Sequence, residues 1–405
     1  MLAITFGNVL EWFEIYLFAY WAPVLSKLFF NDDSWIGLVN TFLIFGAGFI
    51  ARPLGALFFG RIGDLIGRKP AFILSITSMT IPTILMGLLP TYAQIGIYAP
   101  WLLLLLRLLQ SFPSGGEAPG AFCYLYENAD SHNQKFLSSW GGFGNQLGAI
   151  FSLTESILME MFLPREFLLT WGWRISLFSG GLLGLLGIFL RYQLKETPLF
   201  IKVREYHETT KETLLHVLKH YKMKIGIGIA YGAINASTFY LIASYIPVYF
   251  HKTFGISEDN NYMVTLVLLI LTTILLPFFG LLGEKFSCRT ILVSCAISII
   301  VLLIPLNMFI NTANDYGIAL VGFFYIFPIT CITALIPYLL TSLFPTPVRF
   351  TCVGLSFNVA DGIIGGFTPA ISLLLIDVTK NAAGFSWFIL VCSLVSLISY
   401  FKIKK

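Results

Sequence analysis

Apolar residues run along this chain in long blocks, and polar residues are confined to short breaks between them. Cut at charges and turn residues, the blocks lie at 3–29, 35–59, 71–90, 99–127, 136–163, 172–192, 224–250, 261–282, 290–310, 316–343, 350–376 and 383–401. A helix needs roughly 20 apolar residues to cross a bilayer, which is about the length of each block. Runs such as Leu102 to Leu106 and Leu182 to Leu190 are apolar on every side, whereas membrane-barrel strands are about 10 residues long and keep one polar face. The pattern predicts an all-α integral membrane protein with 12 transmembrane helices.

The longest polar stretch, 193–223, follows the sixth block and divides the chain into two six-helix bundles, 1–192 and 224–405. An internal repeat supports the division. Gly60-Arg-Ile-Gly-Asp64-Leu-Ile-Gly67-Arg68-Lys69 follows the second block, and Gly280-Leu-Leu-Gly-Glu284-Lys-Phe-Ser-Cys-Arg289 follows the eighth. Each has a glycine, an acid four residues on and a base beyond it, the second copy in degraded form. Repeated halves around a central site are an architecture of secondary transporters.

Charge sets the orientation. Arg61, Arg68, Lys69, Lys135, the basic residues of the linker, Lys285, Arg289, Arg349 and the final lysines fall on one side; the other side holds Lys27, Arg165, Arg174, Lys252 and Lys380. The positive-inside rule then places both termini in the cytoplasm. No cleavable signal is expected at the front.

Composition narrows the class. Only 11% of the 405 residues are charged and 57% are hydrophobic, against roughly 25% charged in soluble domains. Soluble enzymes, disordered chains and nucleic-acid binders are excluded, and the lipid bilayer is the expected surrounding. The six cysteines show no paired spacing and read as small core residues. His216 and His220 are spaced i, i+4, but with no third ligand they read as a solvated linker helix, so no metal is expected. A phosphate-binding Gly-Lys-Ser/Thr loop, His-Glu-x-x-His and Gly-x-Ser-x-Gly are all absent. No enzyme activity and no cofactor are expected; transport driven by an ion gradient remains.

A charge inside a span costs about 2.5–3.5 kcal/mol and is usually functional. Glu11 and Glu14 share a side of the first helix, and Glu14 lies roughly 15–18 Å from the cytoplasmic end. A carboxyl so far from water suits proton binding and release; the other reading is a hydrogen bond that merely braces the bundle. Asp361, with Asn358 one turn before it, is the second midplane acid, as proton site or solute ligand. Arg107, Arg52 and Glu117 are further charges within spans, the last between Pro113 and Pro119. Trp12, Tyr16 and Tyr240, whose rings suit an ammonium group, and Asn145 and Asn235 complete the candidate solute contacts; a lone Asn also serves as helix-packing glue. Gly60, Asp64, Gly67, Arg68 and Lys69 lie at the cytoplasmic rim. Asp64 there can meet the positive end of a helix, the one starting near Arg349, which makes the set a candidate gate.

The loop Gly60 to Lys69 resembles the signature of the major facilitator superfamily, and twelve spans in two halves match its layout. Further pieces resemble its metabolite:proton symporter family, which includes proline/betaine, alpha-ketoglutarate, citrate and shikimate carriers. They are Gly7-Asn8-Val-Leu-Glu11-Trp12-Phe13-Glu14, Arg52-Pro53-Leu54-Gly55, Arg107-Leu-Leu-Gln110, Gly115-Gly116-Glu117, Ser139-Trp140, Trp171-Gly172-Trp173-Arg174-Ile175, Glu196-Thr197-Pro198, Phe344-Pro345-Thr346 with Arg349, and Gly365-Gly366 with Pro369. Two departures are Glu14, where the family often has Asp, and Ser111, where it has Gly.

The resemblance implies a major facilitator fold of two pseudo-symmetric six-helix bundles and transport by alternating access. It also implies that Arg107, which matches an arginine implicated in proton coupling, modulates a nearby carboxyl. The expected activity is proton symport of a small polar metabolite, first a zwitterion such as proline, betaine or another amino acid. A mono-, di- or tricarboxylate such as alpha-ketoglutarate or citrate is the alternative, with Arg52 and Arg107 binding it. A proton-driven exporter and a non-transporting receptor stay open. The expected setting is a bacterial inner membrane and a monomer, with the proton gradient as energy source and no nucleic-acid partner.

Overall fold

The computed structural model describes residues 2–30, 35–206, 212–240, 258–312, 315–381 and 383–402. The helices are α1 (Leu2–Tyr20), α2 (Ala22–Phe30), α3 (Trp35–Leu65), α4 (Arg68–Gly87), α5 (Tyr98–Glu127), α6 (Gln134–Phe162) and α7 (Trp173–Tyr192). After them come α8 (Pro198–Glu205), α9 (Leu214–Tyr240), α10 (Glu258–Lys285), α11 (Cys288–Asn311), α12 (Asp315–Ser342), α13 (Arg349–Asn358), α14 (Gly366–Thr379) and α15 (Ser386–Lys402). With α1 and α2 taken as one span, α13 and α14 as another, and the short α8 left in the linker, these are the twelve expected segments.

Four details differ from the sequence reading. The first span bends by 61° between α1 and α2, where Pro23 lacks the N–H that would continue the helix. The eleventh span carries a wide turn over Val359–Gly365, which contains Asp361; such turns concentrate at functional sites. α3 runs on to Leu65, so Gly60 to Asp64 form its last helical turns instead of a loop. Linker residues from Leu214 onward belong to α9, so His216 and His220 are exposed on the extension of a spanning helix, with rings 6.3 Å apart. The end of the seventh block, with Tyr245 and Lys252, lies outside the described residues, as does the side chain of Tyr240.

Large apolar side chains are exposed along single helix faces: Ile274, Phe278 and Leu281 on α10, and Ile297, Val301, Ile304 and Met308 on α11. Glu11, Glu14, Arg52, Asp64, Arg68, Arg107, Glu117, Glu127 and Arg191 are instead buried. Apolar outside and polar inside inverts the soluble pattern and fits a surface facing lipid.

The helices form two compact units. Unit 1 comprises 1–128, 144–211 and 346–355; unit 2 comprises 129–143, 212–345 and 356–405. Within unit 1, α3 packs on α5, α4 on both α5 and α7, and α1 on α7 and α5. Unit 2 repeats every one of these pairings six spans later: α10 on α12, α11 on α12 and α15, and α9 on α15 and α12. The same pattern of helix pairings thus occurs within each unit. A cluster of Phe18, Trp21, Phe29, Leu103 and Trp173 packs one end of unit 1, with Phe29 edge-on to Trp173 at 5.5 Å.

The contact between α3 and α5 depends on two glycines. A Cβ at Gly55 would collide with the Phe112 carbonyl, and one at Gly115 with the Arg52 carbonyl. The two backbones therefore touch, as small residues allow between membrane helices. Gly115→Leu should destabilise unit 1 by about 1–3 kcal/mol, seen as a lower melting temperature of the detergent-purified protein.

Candidate functional site

Three groups of buried polar residues stand out in unit 1. The first surrounds Glu14, midway along α1. Its Oε2 accepts hydrogen bonds from Thr83 Oγ1 of α4 and Gln110 Nε2 of α5, both at 2.8 Å. Its Oε1 has no hydrogen-bond partner among the described residues. Arg107 Nη1 donates to Gln110 Oε1 at 2.6 Å, so the guanidinium reaches Glu14 only through the amide. The Arg107 group is packed over Phe18 at 4.6 Å and Phe45 at 5.3 Å. The arrangement can hold a proton: one carboxyl oxygen is saturated by two donors, and the other is available to carry the hydrogen.

One turn away, Glu11 pairs directly with Arg52 of α3. Glu117 belongs to a separate group, accepting from Arg191 of α7 and, at 2.5 Å, from Ser75 Oγ of α4. Trp12 is buried, while Tyr16 and Asn145 are half-buried.

The third group is at the end of α3. Asp64 Oδ1 accepts from Phe350 N at 3.0 Å and Oδ2 from Thr351 N at 2.9 Å. These are first-turn amides of α13, whose donors lack partners within the helix and sit at its positive end. Arg68 spends all five N–H donors. Nε and Nη2 form a two-point contact with Glu127 at 3.0 and 2.8 Å, Nη1 donates to Gly63 O and Asp64 Oδ1, and Nη2 also donates to Thr346 O. Glu127 further accepts from Arg349 Nη1 at 2.7 Å and Thr197 Oγ1 at 2.6 Å. Gly67 turns the chain at a φ of 138°, which side chains rarely adopt. Lys69 Nζ donates to Tyr192 O at 2.8 Å. Thus Asp64, Gly67, Arg68, Lys69 and Arg349 gather in unit 1, and a Cβ on Gly60 would strike the Thr351 backbone.

The second motif copy has the same geometry in unit 2. Glu284 Oε1 accepts from Lys135 N at 2.5 Å and Phe136 N at 2.9 Å, first-turn amides of α6. Lys135 Nζ returns to Gly283 O at 2.6 Å. The degraded sequence keeps the acid and the glycine that the geometry needs. Glu284→Ala should strip these amides of their acceptor and cost about 1–3 kcal/mol, again readable as a lower melting temperature.

Elsewhere in unit 2, Asp361 and Asn358 are buried within and just before the wide turn. Asn235 Oδ1 accepts from Thr333 Oγ1 at 2.6 Å. No cluster of three metal-ligating side chains occurs among the described residues.

Sequence reasoning missed Thr83, Glu127 and Thr197 as parts of these groups. Gln110 lies three residues after Arg107, on the same helix face, and was readable from that spacing. Glu127 was readable as an acid closing the fourth span beside an excess of cations. Thr83 gave no signal beyond a hydroxyl in an apolar run.

The proline/betaine transporter of Salmonella typhimurium is 31% identical over 416 residues, covering 100% of this chain and 82% of its own length. The citrate-proton symporter of Salmonella typhi is 31% identical over 399 residues, covering 98% and 92%. A solved structure of the proton:xylose symporter XylE, bound to 6-bromo-6-deoxy-D-glucose, superposes with a TM-score of 0.79 at 16% identity, covering 99% of this chain and 93% of that one. The family profile described as Major Facilitator Superfamily matches residues 4–369. Buried charges, a repeated six-span arrangement and these likenesses agree: the chain belongs to the major facilitator superfamily, as a multi-pass membrane transporter.

Proposed function

We propose that this transporter imports a small zwitterionic solute such as proline, betaine or another amino acid together with protons, by alternating access. The observation that carries the reading is Glu14, a buried carboxyl with one oxygen accepting two hydrogen bonds, the other without a partner among the described residues, and the Arg107 guanidinium one amide away. Two relatives that match nearly the whole chain are named for proline/betaine transport and citrate-proton symport, which supports both the solute class and the coupling.

In the proposed cycle Glu14 takes a proton from the outer side, with Arg107 tuning it through Gln110. Asp361, in the wide turn of the eleventh span, is the second candidate proton site, beside Asn358. The candidate solute contacts are Trp12, Tyr16, Arg52 and Asn145 in unit 1, and separately Asn235 and Asn358 in unit 2. Release inward requires the contacts of Asp64, Arg68 and Glu127 with residues 346–355 to break. The proposed setting is a bacterial inner membrane with both termini in the cytoplasm, the protein acting as a monomer without a cofactor. Two buried guanidinium groups, Arg52 and Arg107, favour the second reading, symport of a di- or tricarboxylate.

Uptake of labelled proline, glycine betaine, citrate and alpha-ketoglutarate into proteoliposomes under an inward proton gradient tests the proposal. Gradient-dependent accumulation of proline or glycine betaine is expected. Accumulation of citrate or alpha-ketoglutarate alone selects the second reading. Gradient-driven efflux means an exporter, and binding without flux means a receptor; either rejects both.

A further inference from the structure

The two acids of α1 meet their arginines differently. Glu14 reaches Arg107 through an amide, whereas Glu11 is bonded directly to Arg52, with the two side chains 0% and 2% exposed. The Arg52 guanidinium also lies 5.8 Å from the Trp12 ring and 5.6 Å from the Phe49 ring. From Trp12 a ladder of rings continues along the same face of α1: Tyr16 at 5.8 Å, then Tyr20 a further 6.1 Å on. One guanidinium and a run of π faces starting beside it therefore lie together within unit 1.

We propose that Arg52 is the receptor for the carboxylate of the transported solute, and that Glu11 is the internal carboxylate holding its place. The inference rests on the zwitterion-symport reading above and deepens it. A buried guanidinium left without an anion is strongly unfavourable, and its planar fork accepts any carboxylate of suitable approach. A solute carboxylate can therefore replace Glu11 on Arg52, but two anions cannot share the buried cation at equal cost. The exchange balances when the proton that Glu14 has taken up from the outer side passes to Glu11, the Glu14 O–H bond breaking as the Glu11 O–H bond forms. Arg52⁺ with Glu11⁻ becomes Arg52⁺ with the solute carboxylate, beside a neutral Glu11 carrying a new O–H bond. One proton thus accompanies each carboxylate. The solute's ammonium group falls on the Trp12–Tyr16–Tyr20 ladder, where cation–π attraction holds it. This selects a solute with both charges over a plain carboxylate.

The charged groups nearest Glu11 on these helices are Arg52 on α3, Glu14 on α1 itself and Arg107 on α5, whose guanidinium lies beside Gly48 of α3. Towards the start of α1, Glu117 of α5 and Arg191 of α7 face Gly7 and are paired with each other. α6 brings Glu155, held by Ser179 of α7 at 3.1 Å.

The test is equilibrium binding of labelled glycine betaine and proline to the purified full chain across pH, with choline, the same quaternary ammonium without the carboxylate, as competitor. For wild type, affinity should weaken by about tenfold per pH unit on the alkaline side, the slope of one linked proton. Glu11→Gln should bind tightly at every pH with that slope gone. Arg52→Lys and the neutral pair Glu11→Gln/Arg52→Gln should each bind at least about 30-fold more weakly, and choline should not compete. The double variant removes both charges, so it reports binding even where Glu11→Gln alone folds poorly. An unchanged pH slope in Glu11→Gln, binding within twofold of wild type without Arg52, or competition by choline overturns the assignment. Wild type binding neither zwitterion overturns the solute reading itself, a separate outcome.

Discussion

Glu14→Gln should abolish proton-driven accumulation while leaving solute exchange across the membrane nearly intact. The amide keeps an oxygen that can accept from Thr83 and Gln110, so the local packing survives. It cannot take up or release a proton, so a gradient has nothing to act on at this position. Loaded vesicles should still swap internal for external solute within about threefold of the wild-type rate, whereas uphill uptake should fall at least about 100-fold, equivalent to about 2.7 kcal/mol of lost coupling. Gln110→Ala is milder, because it removes only the bridge to Arg107. Equal losses of exchange and accumulation in Glu14→Gln would make Glu14 a packing residue, the role a buried glutamate can also play.

Glu127→Ala should have the largest effect on stability. It removes the carboxylate shared by Arg68, Arg349 and Thr197 and leaves two buried guanidinium groups without it. Stripping one partner from a buried ionic network costs about 3–5 kcal/mol. The released energy should loosen residues 346–355, which hold Cys352, a buried thiol. Site-resolved maleimide labelling of Cys352 should therefore accelerate, together with a fall in melting temperature. Glu127→Gln keeps hydrogen-bond acceptors and should fall between wild type and alanine. Unchanged labelling and melting in the alanine variant would mean that the network does not hold this segment.

Much of this was legible in the sequence, because a bilayer imposes a simple grammar. Helix lengths, the break after the sixth span and the paired motifs all follow from hydropathy and charge, and the structure repeats its helix pairings at the same six-span offset. The motif acid was legible too: Asp64 and Glu284 each sit where a helix start can meet them. What hydropathy hides is local. The bend after Tyr20 needed the weight of Pro23 within an otherwise continuous run, and the wide turn around Asp361 is set by backbone geometry among glycines. Thr83 and Thr197 were invisible because a hydroxyl acquires meaning only from the carboxylate it reaches across the fold. Glu117 shows the reverse: a charge in a span with prolines on either side, it is taken up by Arg191 and Ser75.

A symporter must carry protons inward with its solute. The direct measurement is the external pH of weakly buffered proteoliposomes when glycine betaine or proline is added with no gradient imposed. Symport predicts a solute-dependent alkalinisation outside for wild type, absent in Glu14→Gln. Solute entry with no pH change in wild type, or with acidification, would contradict it.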